Sequence, residues 1–225
     1  MKVWSTVVAA AFGAALATTA GANVIFDVGN NPQPDEENIL FNGAGTTSGP
    51  ATTITGLTQV SDLLVFFSST ENLVTPAQGQ ARIEAEDGAF TALSFGVQQG
   101  TFGDFILNPT ILHDTGPPAT GTVDVTVHLV GEPDATFTYD VSSAGNNFLT
   151  IIATGGERIS SIDIASSTDI SFFDLQQPRI SSPVSCPPGS TDPLCIGQTV
   201  PEPGSLALLG LGLLGFVAVR RGIGR

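Results

Sequence analysis

Between Val123 and Val141 the chain alternates apolar and polar residues with a period of two, broken once by a turn. Val123, Val125, Val127 and Leu129 are separated by Asp124, Thr126 and His128. Gly131-Glu132-Pro133-Asp134 reverses the chain, and Phe137, Tyr139 and Val141 alternate back. Neighbouring side chains on a strand point to opposite faces, so this spacing gathers the apolar set on one side. The pair predicts an antiparallel hairpin, half-buried, with His128 on its polar face.

The rest of the body reads the same way. Short apolar runs occur at 24–28, 38–41, 52–55, 63–68, 80–85, 89–97 and 102–107, with Gly-, Pro- and Asn-rich punctuation between them. Three more follow at 148–153, 159–165 and 170–175. Outside the two ends, no window of helical length carries an apolar i, i+3, i+4 pattern. About ten to twelve short strands at regular spacing predict an all-β, antiparallel β-sandwich of jelly-roll type.

The two ends differ from the body. Met1-Lys2 gives a positive start, residues 7–16 are an Ala-rich apolar core, and Ala20-Gly21-Ala22 offers a small-x-small site. This predicts a signal peptide over 1–22, removed by signal peptidase after Ala22. The alternative is an uncleaved anchor, for which the apolar stretch is short. At the other end Pro201-Glu202-Pro203 precedes an uncharged apolar run, 204–219, and a basic cluster of Arg220, Arg221 and Arg225. As a helix that run reaches roughly 24 Å, a short transmembrane segment. The basic residues stop it on the cytoplasmic side of the inner membrane and leave the body outside.

In its order of parts, this tail resembles the PEP-CTERM sorting signal of Gram-negative bacteria that make extracellular polysaccharide. The resemblance covers 200–225 and implies an integral-membrane exosortase that recognises Pro201, Glu202 and Pro203 and cleaves nearby. The product would be released or attached to the cell surface. An ordinary C-terminal anchor is the alternative.

Removing both ends changes the charge balance. Of seven Lys and Arg, only Arg82, Arg158 and Arg179 stay with the body, whereas of 21 Asp and Glu only Glu202 leaves it. The body therefore lacks lysine and is strongly acidic, which opposes binding to nucleic acid or anionic lipid. Its aromatic and branched residues suffice for one core, and roughly 175 residues make one domain. Segments 23–180 and 181–199 divide it into a β-sandwich domain and a Pro/Cys-containing stalk. A looser resemblance, to the closing strands of lectin-like jelly rolls, covers Asn147-Phe148-Leu149-Thr150-Ile151-Ile152, 159–164 and 169–175.

Cys186 and Cys195 are the only cysteines. In an exported protein they favour a disulfide over a metal site, with two free thiols as the alternative. Such a small loop would contribute roughly 2–3 kcal/mol to its own order. Asp35, Glu36 and Glu37, together with Asp174 on the last strand, form a candidate Ca²⁺ set if the first and last strands are neighbours. The lectin-like resemblance singles out Asp174. Calcium needs about six to eight oxygens, and no spaced Asp-x-Asp-x-Asp-Gly loop is present, so solvated surface acids are the competing reading.

Catalytic machinery is sparse. His113 and His128 have neither His-x-x-x-His spacing nor a nucleophile elbow. Glu84 and Glu86 would share a strand face roughly 7 Å apart, a spacing a glycosidase pair could use, but they would lie on one strand rather than across a cleft. The sequence thus predicts a non-enzymatic exported surface or matrix protein associated with exopolysaccharide or biofilm. A carbohydrate-binding, lectin-like module is the alternative, weakened by having Tyr139 as the body's one Tyr and by the loss of Trp4 with the signal peptide. A secreted glycan hydrolase is the third reading.

Overall fold

The computed structural model describes residues 24–76, 82–112, 118–167 and 169–196. Its strands are β1 Val24–Asp27, β2 Glu36–Leu40, β3 Ala51–Thr58, β4 Leu64–Val74, β5 Arg82–Ala85, β6 Ala92–Val97 and β7 Gly100–Thr101. They continue with β8 Asp104–Ile111, β9 Thr120–Leu129, β10 Ala135–Ser142, β11 Leu149–Ala153, β12 Ile159–Ser166, β13 Phe172–Ser181 and β14 Val184–Ser185. One short helical turn, α1 Pro193–Ile196, follows. The expected signal segment at 1–22, His113 and the tail at 200–225 lie outside the described residues. Among the described residues no helix is long and apolar enough to cross a membrane.

All pairings are antiparallel. The main sheet runs β1-β11-β8-β13-β2-β3-β4-β6-β12-β9-β10, and β5 pairs with both β13 and β4. This sheet folds over on itself. Phe95 of β6 stacks on Phe105 of β8 with ring centroids 4.0 Å apart, although their strands are well separated in the pairing order. Phe102, Phe67 and Phe41 extend the aromatic contact on either side. At the corner, β2 bridges β13 to β3 while β5 bridges β13 to β4. At the opposite opening Phe26 of β1 stacks on Phe137 of β10 at 4.8 Å, bringing together the two ends of the sheet.

The period-two hairpin forms as the alternation requires. Val123, Val125, Val127 and Leu129 are buried, whereas Asp124 is exposed and Thr126 and His128 are half-buried. Tyr139 pairs with Val123 and Phe137 with Val125, so both apolar sets share the inner face. Asn147 ties β10 to β8: its amide donates to Pro109 O and Ser142 O, and its backbone N–H donates to Asn108 Oδ1.

Two strands run further than the composition suggests. β4 continues past Ser68 to Val74, and β13 passes Pro178 to reach Ser181. The register shifts between Gln176 and Arg179, and Gln177 adopts φ 50°, so a bulge accommodates the proline that lacks an N–H for the ladder. The segment read as a stalk is docked along its described part. β14 pairs with β7, Cys186 N donates to Gln99 O, and Thr101 Oγ1 donates to Leu194 O.

Phe105 is fully buried at the centre of the aromatic seam. Phe105→Ala should destabilise the domain by about 3–5 kcal/mol. Phe26→Ala at the half-buried rim should cost less and should speed amide exchange in β1 and β10 before other strands. Denaturant titration and hydrogen exchange measure the two effects; equal losses for both variants would contradict this account of closure.

Candidate functional site

The strand register lays two rows across the outer face of β1, β11, β8, β13 and β2. One row is Asp27, Thr150, Ile106, Arg179 and Asn38; the next is Ile25, Ile152, Asp104, Ser181 and Glu36. Outer rows of a sandwich normally meet water, yet Thr150, Ile106, Asp104 and Ser181 are buried. The cover is the loop between β1 and β2. Thr150 Oγ1 donates to Gly29 O at 2.8 Å and accepts from Asn31 N at 3.0 Å. Arg179 Nη2 donates to Asn30 Oδ1 at 2.5 Å, and its Nη1 meets Glu36 Oε2 at 3.4 Å.

At one end of this cover lies a cleft of about 380 Å³, with Asp104 and Arg158 in its wall beside Gln33, Pro34, Ser182 and Leu194. Asp104 is 2% exposed and its buried Oδ2 has no hydrogen-bond partner. Burial and the neighbouring Glu36 carboxylate push its carboxyl up to about 7, against the pull of Arg158 and Arg179. Glu36 is also raised, by burial opposed by Arg179. Arg158 is clamped in place: Nε donates to Thr101 Oγ1 at 3.2 Å and Nη2 donates to Ser182 O. Thr101 in turn donates to Leu194 O, which links the arginine to the loop closed by the Cys186–Cys195 disulfide. A buried carboxyl of shifted acidity in a concave wall, next to a fixed guanidinium, has the character of a binding site.

The proposed calcium set does not assemble. Asp174 is fully buried, but its Oδ2 is taken by Arg82 Nε at 2.6 Å and by Gln176 Nε2 at 3.1 Å. It lies seven positions along β13 from Ser181, the partner of Glu36, which is roughly 20 Å of strand. Glu37 accepts from the backbone N–H groups of Val60 and Ser61, both at 2.8 Å, and from the Ser61 hydroxyl. Glu36 faces Arg179, and Asp35 sits in the cleft wall at φ 59°. Each acid is committed to a different partner or place. Among the described residues no group of three or more candidate ligands could hold a metal.

The two acids read as a glycosidase pair take different partners. Glu84 is paired with Arg82 at 2.7 Å, while Glu86 lies past the end of β5 and accepts from Asn72 at 3.0 Å. Cys186 and Cys195 are joined, as expected of an oxidising compartment. Asp104 and Arg158 escape a reading based on motifs because no motif contains them. The available signal was a lone Asp inside the apolar stretch Phe102 to Leu107, together with the scarcity of body arginines.

On the opposite layer His128 bridges two carboxylates, with Nδ1 at 3.0 Å from Asp134 and Nε2 at 2.9 Å from Asp163. Ser94 donates to the other Asp163 oxygen at 2.5 Å. The hydroxyl thus bonds the acid rather than the imidazole, which is not a nucleophile–base arrangement. Bonding to Asp163 raises the His128 pKa, burial opposes this, and Asp134 adds to the rise.

These groups give one sign of pH dependence. Asp104 and Glu36 hold protons in the fold at pH values where the unfolded chain has released them, and so does His128. For Asp104, stability falls as pH rises from the ordinary 3.8 to about 7. For His128, the contribution is complete below 6.5 and is lost as pH rises through its folded value. The domain should therefore melt at a higher temperature at pH 5 than at pH 8. Asp104→Asn should flatten the lower part of that slope and stabilise the protein at pH 8 by about 1–3 kcal/mol. His128→Gln should flatten the upper part. Thermal unfolding across pH checks all three, and a rising profile would contradict them.

No curated protein and no solved structure matches the chain. Residues 199–221 match the family described as the PEP-CTERM protein-sorting motif, immediately beyond the described body. The match confirms the resemblance seen in Pro201-Glu202-Pro203 and the run behind it. The chain carries a PEP-CTERM sorting signal and is an exosortase-targeted, exported surface protein.

Proposed function

We propose that the sandwich is a non-enzymatic component of the cell surface or extracellular matrix of a Gram-negative, exopolysaccharide-producing bacterium. The signal over 1–22 directs export, and signal peptidase cuts after Ala22. The apolar run of the tail holds an inner-membrane intermediate until exosortase cleaves near Pro201, Glu202 and Pro203. The body then joins the exopolysaccharide or biofilm layer. The sorting motif at 199–221 is the observation that carries this reading.

The body supports it in two ways. The disulfide suits an oxidising compartment. The arginines are engaged with buried or half-buried partners, which leaves an acidic, hydrated surface suited to a polysaccharide matrix.

Replacing Pro201, Glu202 and Pro203 with alanine in an exosortase-containing host should leave the chain at full length in the membrane fraction, while the parent is processed. Mass spectrometry of the parent should find Asn23 as the first residue. Unchanged processing of the alanine variant would overturn the assignment of the motif. A hydrolysis screen on polysaccharides should give no turnover; activity lost in Glu84→Gln or Glu86→Gln would establish the hydrolase instead.

A further inference from the structure

We propose that the cleft holding Asp104 and Arg158 is a carbohydrate subsite for one or two neutral sugar rings. This goes beyond the surface role above, which needs only the sorting signal and a stable body.

The chemistry follows from what the wall offers. Asp104 lies in the cleft wall with its carboxyl almost wholly buried and one oxygen without a partner, so a hydroxyl that enters beside it would supply the missing bond. Beside it, Arg158 is a donor held in orientation by Thr101 and Ser182. A ligand satisfying both must donate and accept from neighbouring atoms without net charge. A cation would face Arg158, and an anion would face Asp104, Asp35 and the acidic surface. Vicinal hydroxyls of a sugar meet the requirement. Pro34, Ile152 and Leu194 give the C–H face of a ring apolar surface. A volume of about 380 Å³ falls in the range of small-molecule pockets.

Gly103 keeps the cleft open. A Cβ at this position would lie 3.4 Å from both Arg158 Nη1 and Ser181 Oγ, so any side chain would grow between the two. Gly103 is the bend residue just before β8; its N–H donates to Ser181 O and its C=O accepts from Ala153 N, and its φ lies outside the left-handed region. Gly103→Val therefore fills the subsite while retaining the strand.

The test is calorimetric and NMR titration of the full-length chain, purified in a detergent without a sugar headgroup. The probes are glucose, galactose, mannose and their neutral disaccharides, with glucuronate and a triglycine peptide as contrasts. At least one neutral sugar should bind with a dissociation constant of about millimolar. Gly103→Val and Asp104→Asn should each weaken it about tenfold or more, and thermal unfolding identifies any loss due to misfolding. Asp104→Asn keeps the shape of the side chain and provides the answer should Gly103→Val fail to fold. The proposal is overturned if no neutral sugar binds, if only glucuronate or the peptide binds, or if a folded variant binds as the parent does. None of these outcomes bears on processing of the tail, so failure here and failure of the sorting assignment are distinguishable.

Discussion

The fold depends on the contact between Phe95 and Phe105, where a single pleated sheet meets itself. Sheets with one apolar face need a second apolar face to cover it, and here both come from one continuous ladder. Such a fold has two openings to close. The corner is closed by main-chain bonding, because β13 pairs with β5 over one part of its length and with β2 over another. The far opening is closed by side chains, with Phe26 on Phe137 and Tyr139 behind them. Stacking is weaker than a hydrogen-bonded ladder and makes no demand on register. That difference explains why a strand as short as β1 suffices at the rim.

A second constraint is the scarcity of positive charge. Three arginines serve the whole body, and each stands beside a carboxylate that the fold has taken from water: Arg82 at Asp174, Arg179 at Glu36, Arg158 near Asp104. For the two bonded pairs, Arg82 with Asp174 and Arg179 with Glu36, removing the arginine leaves a buried carboxyl unpaired and costs more than the pair contributes. His128 serves two further acids on the other layer. The Asp104 carboxyl is pushed up to about 7, first by burial and then by the neighbouring Glu36, which Arg158 and Arg179 offset only in part.

Much of the fold was legible in the sequence because its rule is local. The alternation from Val123 to Val141 fixes both faces of β9 and β10, and the structure follows it residue by residue. The sorting tail was legible for a different reason: Pro-Glu-Pro, apolar run and arginines are contiguous. What escaped depends on distant pairing. β13 crosses Pro178 since a bulge and the left-handed Gln177 absorb the missing donor, a solution the local sequence does not announce. The calcium set failed on the same ground. Glu36 and Asp174 do belong to elements that meet on β13, but neighbouring strands are not neighbouring residues, and register keeps the two acids apart. Asp104 was hidden because a polar residue on an outer row looks solvated until the loop carrying Asn30 and Asn31 is known to cover it.

In the sequence the disulfide lies between the last strand of the body and the sorting motif. Its ring contains residues 186–195, and the sorting motif starts at 199, so the cleavage proposed near Pro201 to Pro203 would fall outside the ring. Leu194, within the ring, forms part of the cleft wall and accepts the hydroxyl hydrogen bond of Thr101, which also steadies Arg158. An open chain leaving the body here would fray from its free end once the tail was cut, starting with α1 and then β14. A closed ring shortens the segment that is able to fray and keeps Leu194 against Thr101. The wall of the cleft is therefore protected from the very processing step that the tail invites.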